Sequence, residues 1–284
     1  MQGGARITFH GTRGSTPCAG PRYARYGGNT SCVSLHAAGN IFVFDLGTGL
    51  RAFGETLGAN GGGFHATVLL SHLHWDHVQG LPFFRPLADP DTCLDVHGPA
   101  QANRPLGAVF DELMRQPFFP ITVHELPGRV RFLDTATDDF PAGPAKVRSR
   151  WIRHTSPTLA YRVELDDLSV AYISDHGQGC SDDGDAFVPD DVLELADGVD
   201  LLIHDSQHSC EEFERKRHHG HSTVDYAVHV ARAAGARQLA LFHHCPSHGD
   251  AAVDTLLNRA RELAAPTGIG HVFAAADGCT VTLR

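Results

Sequence analysis

The sequence predicts an α+β fold, a four-layer αββα sandwich in which two packed β-sheets are covered by helices on their outer faces. Two observations support this fold class. The first half of the chain contains several short apolar strands and a few helices, and the second half loosely repeats that order. No linker or low-complexity stretch divides the 284 residues, so residues 1–284 are expected to form a single domain.

Short apolar runs, often β-branched and bounded by glycine, proline or polar residues, indicate the strands of the first half. These predicted strands are Ile7–Phe9, Val33–His36, Ile41–Asp45, Ala66–Leu70 and Cys93–Gly98. Apolar residues at helical spacing indicate the helices Leu50–Leu57, a segment from near His77 toward Phe84, and Leu106–Met114. The apolar, proline-bounded segment 116–121 is typical of a surface loop packed on the core, of a flap beside the substrate mouth, or of a dimer contact.

The second half is rich in strands before it alternates strands with helices. The predicted strands are Arg129–Leu133, Val147–Arg153, Leu159–Leu165, Leu168–Ile173, Val199–Ile203, Gln238–Phe242, His271–Phe273 and Thr280–Leu283. Turn residues at 141–144 and at Asp166-Asp167 separate strands of this group. The predicted helices are Val224–Ala234 and Ala251–Ala264.

Composition favours a globular protein without a membrane span. Apolar residues make up 42% and charged residues 20%, and no apolar stretch approaches the ~20 residues that a span needs. The first residues lack the apolar core of a signal peptide, and seven scattered cysteines without a Cys-x-x-Cys pair fit reduced thiols. We therefore expect a cytoplasmic protein. The formal net charge of −10 and the absence of a long basic run predict that nucleic acid is not the partner.

The stretch from Ser71 to Gly80 carries four metal-ligand side chains within six residues, in the order His72, His74, Asp76 and His77. It directly follows the apolar strand Ala66–Leu70, so these side chains are expected on a loop that leads into a helix. Imidazole and carboxylate groups bind zinc, manganese and iron. The pattern therefore indicates the beginning of a site for two metal ions.

Three later strands also end in metal-ligand side chains, at His154, at Asp175 and at His243-His244. Each alone could be a polar residue at a sheet edge, but together they complete a two-metal site. Metal one is assigned His72, His74 and His154, and metal two is assigned Asp76, His77 and His243, with Asp175 bridging both. His243 is preferred to His244 because it directly follows the strand. Zinc is the expected ion and manganese the alternative, and a hydroxide held between two cations would be the nucleophile.

A second constellation joins Asp205, at the end of a strand, to His221 sixteen residues later. His221 opens the helix that runs to Ala234, where Ser222 or Thr223 suits an N-cap. Asp205 would hold one ring nitrogen of His221, and the other nitrogen would protonate a leaving oxygen. Asp76, Asp205 and His221 are accordingly predicted to take part in catalysis. The alternative is that His221 is one of several exposed histidines at the helix start.

Glycine-rich loops adjoin strands at Gly11–Pro17, Arg25–Cys32 and Asp45–Gly49, and those that end a strand are either simple turns or the rim of a site. If they form a rim, Asn29 and Thr30 offer hydrogen bonds there. Asn29, Thr30 and His244 are the residues predicted to bind substrate.

These motifs, in this order, strongly resemble the metallo-β-lactamase superfamily, in particular the branch that contains tRNase Z and the phosphoribosyl cyclic phosphate phosphodiesterases. The resemblance runs over nearly the whole chain. It implies the αββα fold, two metals, and Asp205 with His221 as the proton-donating pair. The segment Tyr26–Cys32 resembles bacterial members described as cyclic-phosphate or cyclic-nucleotide phosphodiesterases.

The chain departs from tRNase Z in two respects. Only 21 positions separate His154 from Asp175, which leaves room for a hairpin but not for the long tRNA-gripping arm of those enzymes. Asp205 also stands where tRNase Z commonly has glutamate.

The leading hypothesis is therefore a two-metal phosphodiesterase for a small cyclic phosphate or cyclic nucleotide, with a small-molecule substrate. A homodimer is an open alternative. Further hypotheses are a tRNA 3′-processing endonuclease, a lactonase or thioesterase of the same fold, and a metal-bound sensor with an idle site.

Overall fold

Two seven-stranded β-sheets form the centre of the structure, a computed structural model that describes residues 4–57, 63–179 and 187–283. The strands are β1 (Ala5–Gly11), β2 (Cys32–Ala37), β3 (Asn40–Phe44), β4 (His65–Leu69), β5 (Cys93–Gly98), β6 (Arg129–Asp134), β7 (Asp138–Ala142), β8 (Ala145–Ile152), β9 (Thr158–Leu165), β10 (Leu168–Ile173), β11 (Leu201–Asp205), β12 (Gln238–Phe242), β13 (His271–Ala274) and β14 (Thr280–Leu283). The helices are α1 (Gly49–Thr56), α2 (Trp75–Val78), α3 (Leu106–Leu113), α4 (Asp190–Ala196), α5 (Cys210–Lys216), α6 (Val224–Ala233) and α7 (Asp250–Ala264).

Each sheet is antiparallel at one end and parallel at the other. The first sheet has the order β14-β1-β2-β3-β4-β5-β6, and the second has the order β13-β12-β11-β10-β9-β8-β7. Strands β3 to β6 run parallel to one another, as do β10 to β13. The parallel strands are covered on both faces, which explains the apolar runs Leu201–Ile203 in β11 and Leu239–Phe242 in β12.

Apolar side chains form three layers of core. The central layer lies between the sheets and includes Phe9, Phe44, Tyr172 and Phe242, all nearly or fully buried. The helices α4, α6 and α7 cover the outer face of the second sheet, and α1 and α3 cover the first. This arrangement confirms the predicted αββα sandwich. That residues 1–284 form a single domain stays a prediction.

The structure adds three elements that the sequence did not predict: the strand β7 and the short helices α4 and α5. Strand β7 contains Pro141, which cannot donate a ladder hydrogen bond, but β7 is an edge strand and tolerates it. The metal-motif helix α2 ends at Val78, earlier than predicted, because the Gly80 amide bonds to the Leu46 carbonyl and Pro82 begins a separate turn. Within the described ranges no helix combines the length and apolarity that a membrane crossing requires.

The ends of strands from both sheets meet at one edge of the sandwich. Strands β8, β10, β11 and β12 all run in the same direction, so their C-terminal ends share an edge. At this edge the Leu159 amide donates to the Ser71 carbonyl over 2.9 Å, and the Tyr161 hydroxyl donates to the Leu70 carbonyl over 2.8 Å. The loop after β4 is thereby held against the second sheet.

Candidate metal centre

The first group of candidate ligands contains His72, His74, His154 and Asp175. Nδ1 of His74 lies 3.3 Å from Nε2 of His154, and Nε2 of both His72 and His154 lies 3.6 Å from Oδ2 of Asp175. The Gly220 carbonyl accepts a hydrogen bond from Nδ1 of His154 over 2.7 Å, which leaves Nε2 free to face the group. The three histidines predicted for metal one therefore lie together.

The second group contains Asp76, His77, Asp175 and His243, all buried. Nε2 of His77 and Nε2 of His243 are 3.3 Å apart, and each lies 3.1 Å from Oδ1 of Asp175. Oδ2 of Asp76 lies 3.1 Å from Nε2 of His243. The residues predicted for metal two therefore converge as well.

Asp175 stands between the two groups. Its Oδ2 faces His72 and His154, whereas its Oδ1 faces His77 and His243. It follows β10 with a positive φ of 54°, a conformation that non-glycine residues rarely adopt and that aims the carboxylate between the groups. This position suits the bridging role predicted for it.

Asp45 supports the second group, and the sequence analysis did not assign it a role. Its buried carboxylate accepts hydrogen bonds from Nδ1 of His77 over 2.7 Å, from the Tyr172 hydroxyl over 2.7 Å, and from the Ser71 amide over 2.7 Å. A ligand histidine is commonly oriented by a carboxylate on its other ring nitrogen. The sequence feature that could have pointed to this role is the acidic residue Asp45 directly after the apolar strand β3.

Burial and neighbouring charges shift the titration of the grouped side chains. Burial lowers the pKa of His72, His74 and His154, which keeps these rings neutral, as metal ligands must be. Burial opposes the charged form of His77, but the combined effect of the nearby carboxylates, chiefly Asp175 and Asp76, is larger and raises the pKa of His77. Burial likewise opposes ionisation of Asp175, yet His243 and His77 hold the pKa of Asp175 well below its usual range.

The geometry and the chemistry of these groups fit two divalent cations. The buried Nε2 of His72 has no hydrogen-bond partner among the residues that the structure describes. In each group the candidate ligand atoms lie within 4.8 Å of one another, and Nε2 of His77 and Nε2 of His243 face each other and the carboxylate of Asp175. Imidazole and carboxylate ligands of this kind suit zinc or manganese.

The predicted pair of Asp205 and His221 lies beside the candidate ligands. Oδ2 of Asp205 is 2.7 Å from Nδ1 of His221, and Nδ1 of His221 is 3.9 Å from Oδ2 of Asp175. Burial opposes the charged imidazole, but Asp205 outweighs it and raises the pKa of His221 to about 9. The Ser222 amide also donates to Asp205, so the start of α6 is tied to the same carboxylate.

The two adjacent histidines after β12 point to different places. His243 has a positive φ of 61° and joins the second group, whereas Nε2 of His244 bonds to the Ala275 carbonyl over 2.9 Å. His244 is buried and packs edge-on against Tyr26 at 5.7 Å between ring centroids. Only His243 is therefore placed to act as a ligand.

The contacts of the three predicted substrate-binding residues favour structural roles instead. The Thr30 hydroxyl is buried and accepts a hydrogen bond from the Thr48 amide over 2.9 Å, while the Thr48 hydroxyl accepts from the Thr30 amide over 2.8 Å. Asn29 donates through its amide and its side chain to Asp277. Asn29, Thr30 and His244 thus each form a hydrogen bond to another residue of the protein, to Asp277, Thr48 and Ala275 respectively. These bonds satisfy polar groups of the surrounding loops.

The loop Gly11–Pro17 reaches the metal centre, although none of its residues was assigned a role there. The Ser15 amide donates to Oδ2 of Asp76 over 2.7 Å. Gly14 packs so closely that a Cβ atom there would lie 2.4 Å from the His243 ring. The Gly-Ser pair in the sequence was the available signal, since a close approach of backbone to a side chain requires glycine.

Comparison with known proteins agrees with this fold. The family described as Beta-lactamase superfamily domain matches residues 56–244. Ribonuclease Z of Haloferax volcanii is 30% identical over 309 residues, covering 96% of this chain and 93% of that protein. Ribonuclease Z of Myxococcus xanthus is 29% identical over 322 residues, covering 98% and 97%. The solved metallo-β-lactamase-fold protein YhfI of Bacillus subtilis superposes with a TM-score of 0.71 at 20% identity, covering 99% of this chain and all of that one; this likeness supports the fold alone.

The fold and the ligand groups define a metal-dependent hydrolase, and the predicted enzyme class, a phosphoric diester hydrolase, is confirmed. The chain belongs to the metallo-β-lactamase superfamily.

The relatives overturn two predictions. Hydrolysis of a small cyclic phosphate or cyclic nucleotide was the leading function, and it is wrong because the near-full-length relatives are ribonucleases Z. The expectation of a small-molecule substrate without nucleic acid is wrong for the same reason. The net charge of −10 misled because it averages over the whole surface and says little about the field near one site.

Proposed function

We propose that this protein is a tRNA 3′-processing endonuclease of the ribonuclease Z type. The observation that carries the proposal is the similarity to ribonucleases Z over 96% of the chain, which includes every candidate ligand and the Asp205–His221 pair. A lactonase or thioesterase would have no evident use for a histidine that Asp205 keeps protonated. The location in the cytoplasm stays a prediction.

We further propose that two divalent ions occupy the groups around Asp175, with zinc as the expected metal and manganese as the alternative. His72, His74 and His154 would hold one ion, and Asp76, His77 and His243 the other, with Asp175 shared. Cations bound there would lower the pKa of a water molecule and offset negative charge on the phosphoryl oxygens. The donor set alone does not select between zinc and manganese, since both accept imidazole and carboxylate.

The residues of the chain supply orientation and a proton. Asp205 holds Nδ1 of His221, so Nε2 of that ring is the atom available to the substrate. Asp205 raises the pKa of His221 and so favours the protonated ring, which is placed to donate its proton to the oxygen that leaves when the phosphodiester is cleaved. The Ser15 amide holds Asp76 in place at the opposite side of the centre.

The test is cleavage of a precursor tRNA with a 3′ trailer by the metal-loaded protein. We expect one cut at the 3′ side of the tRNA body, in the presence of zinc or manganese, at low enzyme concentration. The matched control is His221→Ala, which keeps all seven proposed ligands and should cleave at least ~100-fold more slowly.

Cleavage at many sites along the RNA, or no cleavage while both metals are bound, would contradict the proposal. Equal activity on a mature tRNA without a trailer would also contradict it, because a processing enzyme must distinguish its product from its substrate.

A further inference from the structure

An apolar cavity of about 300 Å³ lies beside the metal-motif helix α2. Phe110 and Met114 of the α3 region are buried and form its floor. Its mouth is formed by Trp75, Phe83 and Phe118, whose exposed fractions are 61%, 57% and 75%. The described residues include six exposed large apolar side chains, and three of the six lie around this one opening.

The cavity and the metal centre share the single turn of α2. Trp75 stands between His74 and Asp76, which belong to the first and second ligand groups. Val78, Gln79 and Gly80 line the cavity directly after His77. The cavity therefore adjoins the same short helix that carries Asp76 and His77.

The lining suits a flat, aromatic group with a polar edge. Aromatic side chains contribute most of the mouth, and Phe83 packs edge-on against Phe119 at 5.8 Å between ring centroids. Gln79 is the polar side chain of the lining without a hydrogen-bond partner among the described residues. Arg51 is an exposed guanidinium paired with Glu55 over 2.6 Å, and the Thr48 hydroxyl already bonds to Thr30. Unpaired nucleobases bind proteins by stacking on aromatic rings, with arginine as a frequent companion.

The topology of the chain also favours an RNA contact near the metal centre. The 21 positions between His154 and Asp175 form little more than the hairpin of β9 and β10, and the chain has no long arm there that could hold RNA at a distance. Contacts close to the metal centre therefore carry more weight, and the cavity is an apolar surface on the helix that presents Asp76 and His77.

We propose that this cavity is a base-binding subsite: it accepts the unpaired nucleobase next to the phosphodiester that is cleaved, stacked between Trp75 and Phe118. The inference rests on the proposed function and adds to it the feature of the RNA that is recognised, an unpaired base at the cleavage point. Segment 116–121, predicted as a flap, a packed loop or a dimer contact, supplies one wall of this subsite through Phe118 and Phe119.

The experiment combines a change in the RNA with a change in the protein. The metal-loaded enzyme is given precursor tRNA in which the nucleotide on either side of the cleaved bond is replaced by an abasic one. The same RNAs are given to Phe118→Ala, which removes a mostly exposed ring and little core packing. Leu133→Ala is the control, because Leu133 is 40% exposed on β6 and does not line the cavity.

We expect one of the abasic RNAs to lower kcat/KM by about ten-fold or more in the unaltered enzyme, in line with the loss of one base–aromatic stack. In Phe118→Ala that same abasic change should cost less than about two-fold, because the stacking partner is already gone. Leu133→Ala should behave like the unaltered enzyme. Equal cleavage of the abasic and normal RNAs by the unaltered enzyme would overturn the subsite while leaving the proposed function intact.

A binding measurement separates the two proposals if precursor tRNA is not cleaved. Full-length, metal-loaded His221→Ala is titrated with a short single-stranded oligoribonucleotide, with and without the Phe118→Ala change. About ten-fold weaker binding in the double variant supports the subsite even though the proposed function fails. Unchanged binding overturns the subsite, as does a finding that Phe118→Ala alters only the oligomeric state, which would make the cavity a contact between copies.

Discussion

Oδ2 of Asp45 lies 2.7 Å from Nδ1 of His77, and both side chains are fully buried. Asp45 comes from the first sheet, as does the loop that carries His77, and it also accepts hydrogen bonds from Ser71 and from Tyr172 of the second sheet. The carboxylate therefore fixes which nitrogen of His77 carries the proton and leaves Nε2 for the second ligand group.

We expect Asp45→Asn to weaken binding at the second metal position by about 10- to 100-fold, because the amide cannot accept all the hydrogen bonds of the carboxylate. Metal content after dialysis against a buffered zinc series measures this. Asp167→Asn, at an exposed turn, is the control and should retain metal normally. Unaltered affinity in Asp45→Asn would show that His77 is oriented by its packing alone.

The two neighbouring histidines after β12 provide a matched pair of variants. We expect His243→Ala to lose one of two bound ions, because its Nε2 belongs to the second group. His244→Ala should keep both ions but lower the free energy of unfolding by about 1–3 kcal/mol, because it breaks a buried hydrogen bond to Ala275. Metal analysis and chemical denaturation of both variants check this; metal loss in His244→Ala alone would reverse the assignment.

The Asp205–His221 pair should affect the chemical step rather than metal binding. We expect His221→Ala to lower kcat by about 10²- to 10⁴-fold, and Asp205→Asn to lower it by a smaller factor, because the ring remains but loses its carboxylate. Single-turnover cleavage of precursor tRNA measures this, with metal content determined in parallel. His218→Ala, an exposed histidine nearby, should be indistinguishable from the unaltered enzyme. If loss of metal accounted for the whole decrease in kcat, Asp205 and His221 would act as metal ligands and not as a proton-donating pair.

Removal of the metal ions should lower thermal stability. A ligand present at 100 times its dissociation constant adds about 2.7 kcal/mol to the folded state, which corresponds to a Tm increase of roughly 5–10 °C in a protein of this size. We expect a chelator to produce this decrease and added zinc or manganese to reverse it. His72→Ala should respond less, since one ion is already lost; a chelator effect of equal size in both proteins would mean that the first group does not bind metal.

His10 should make the fold sensitive to acid independently of the metal centre. Burial, and to a lesser extent His36, lowers the pKa of His10 from 6.5 to about 4, while its Nε2 lies 2.8 Å from the Ser34 hydroxyl. A histidine with a lowered pKa in the folded state stabilises fully above pH 6.5, and this contribution is lost as pH falls toward 4, since the unfolded chain then binds the extra proton.

Between pH 7.5 and pH 5 this loss amounts to about 2 kcal/mol for His10. We expect His10→Gln, which can still bond to Ser34, to lose about that much less stability than the unaltered protein over the same interval. Urea denaturation of both proteins at the two pH values, in the presence of a chelator, isolates the effect. Parallel losses in the two proteins would show that His10 is not kept neutral by burial.

Most of the candidate metal ligands could be predicted because they follow the ends of apolar strands. His72 to His77, His154, Asp175 and His243 each follow an apolar strand, and parallel strands necessarily bring such ends to one edge. The supporting roles of Asp45 and Ser15 could not be assigned in this way, because their sequence signals, an acidic residue after a strand and a Gly-Ser pair, do not say which distant side chain each one will bond to. Thr30 shows a different difficulty: its expected role in substrate binding stays a prediction, while its hydroxyl accepts a hydrogen bond from the Thr48 amide within the protein.

The close packing of Gly14 against His243 makes the two sides of the active-site mouth unequal. The side formed by the loop Gly11–Pro17 is fixed. A side chain at position 14 would collide with the His243 ring, and the Ser15 amide is hydrogen-bonded to Asp76. The other side is built from Phe83 and Phe118, neither of which belongs to a candidate ligand group, so it can change in shape without replacing a ligand. Laboratory evolution of this enzyme toward a different RNA should therefore collect its substitutions along residues 83–119 and leave the loop from Gly11 to Pro17 unchanged.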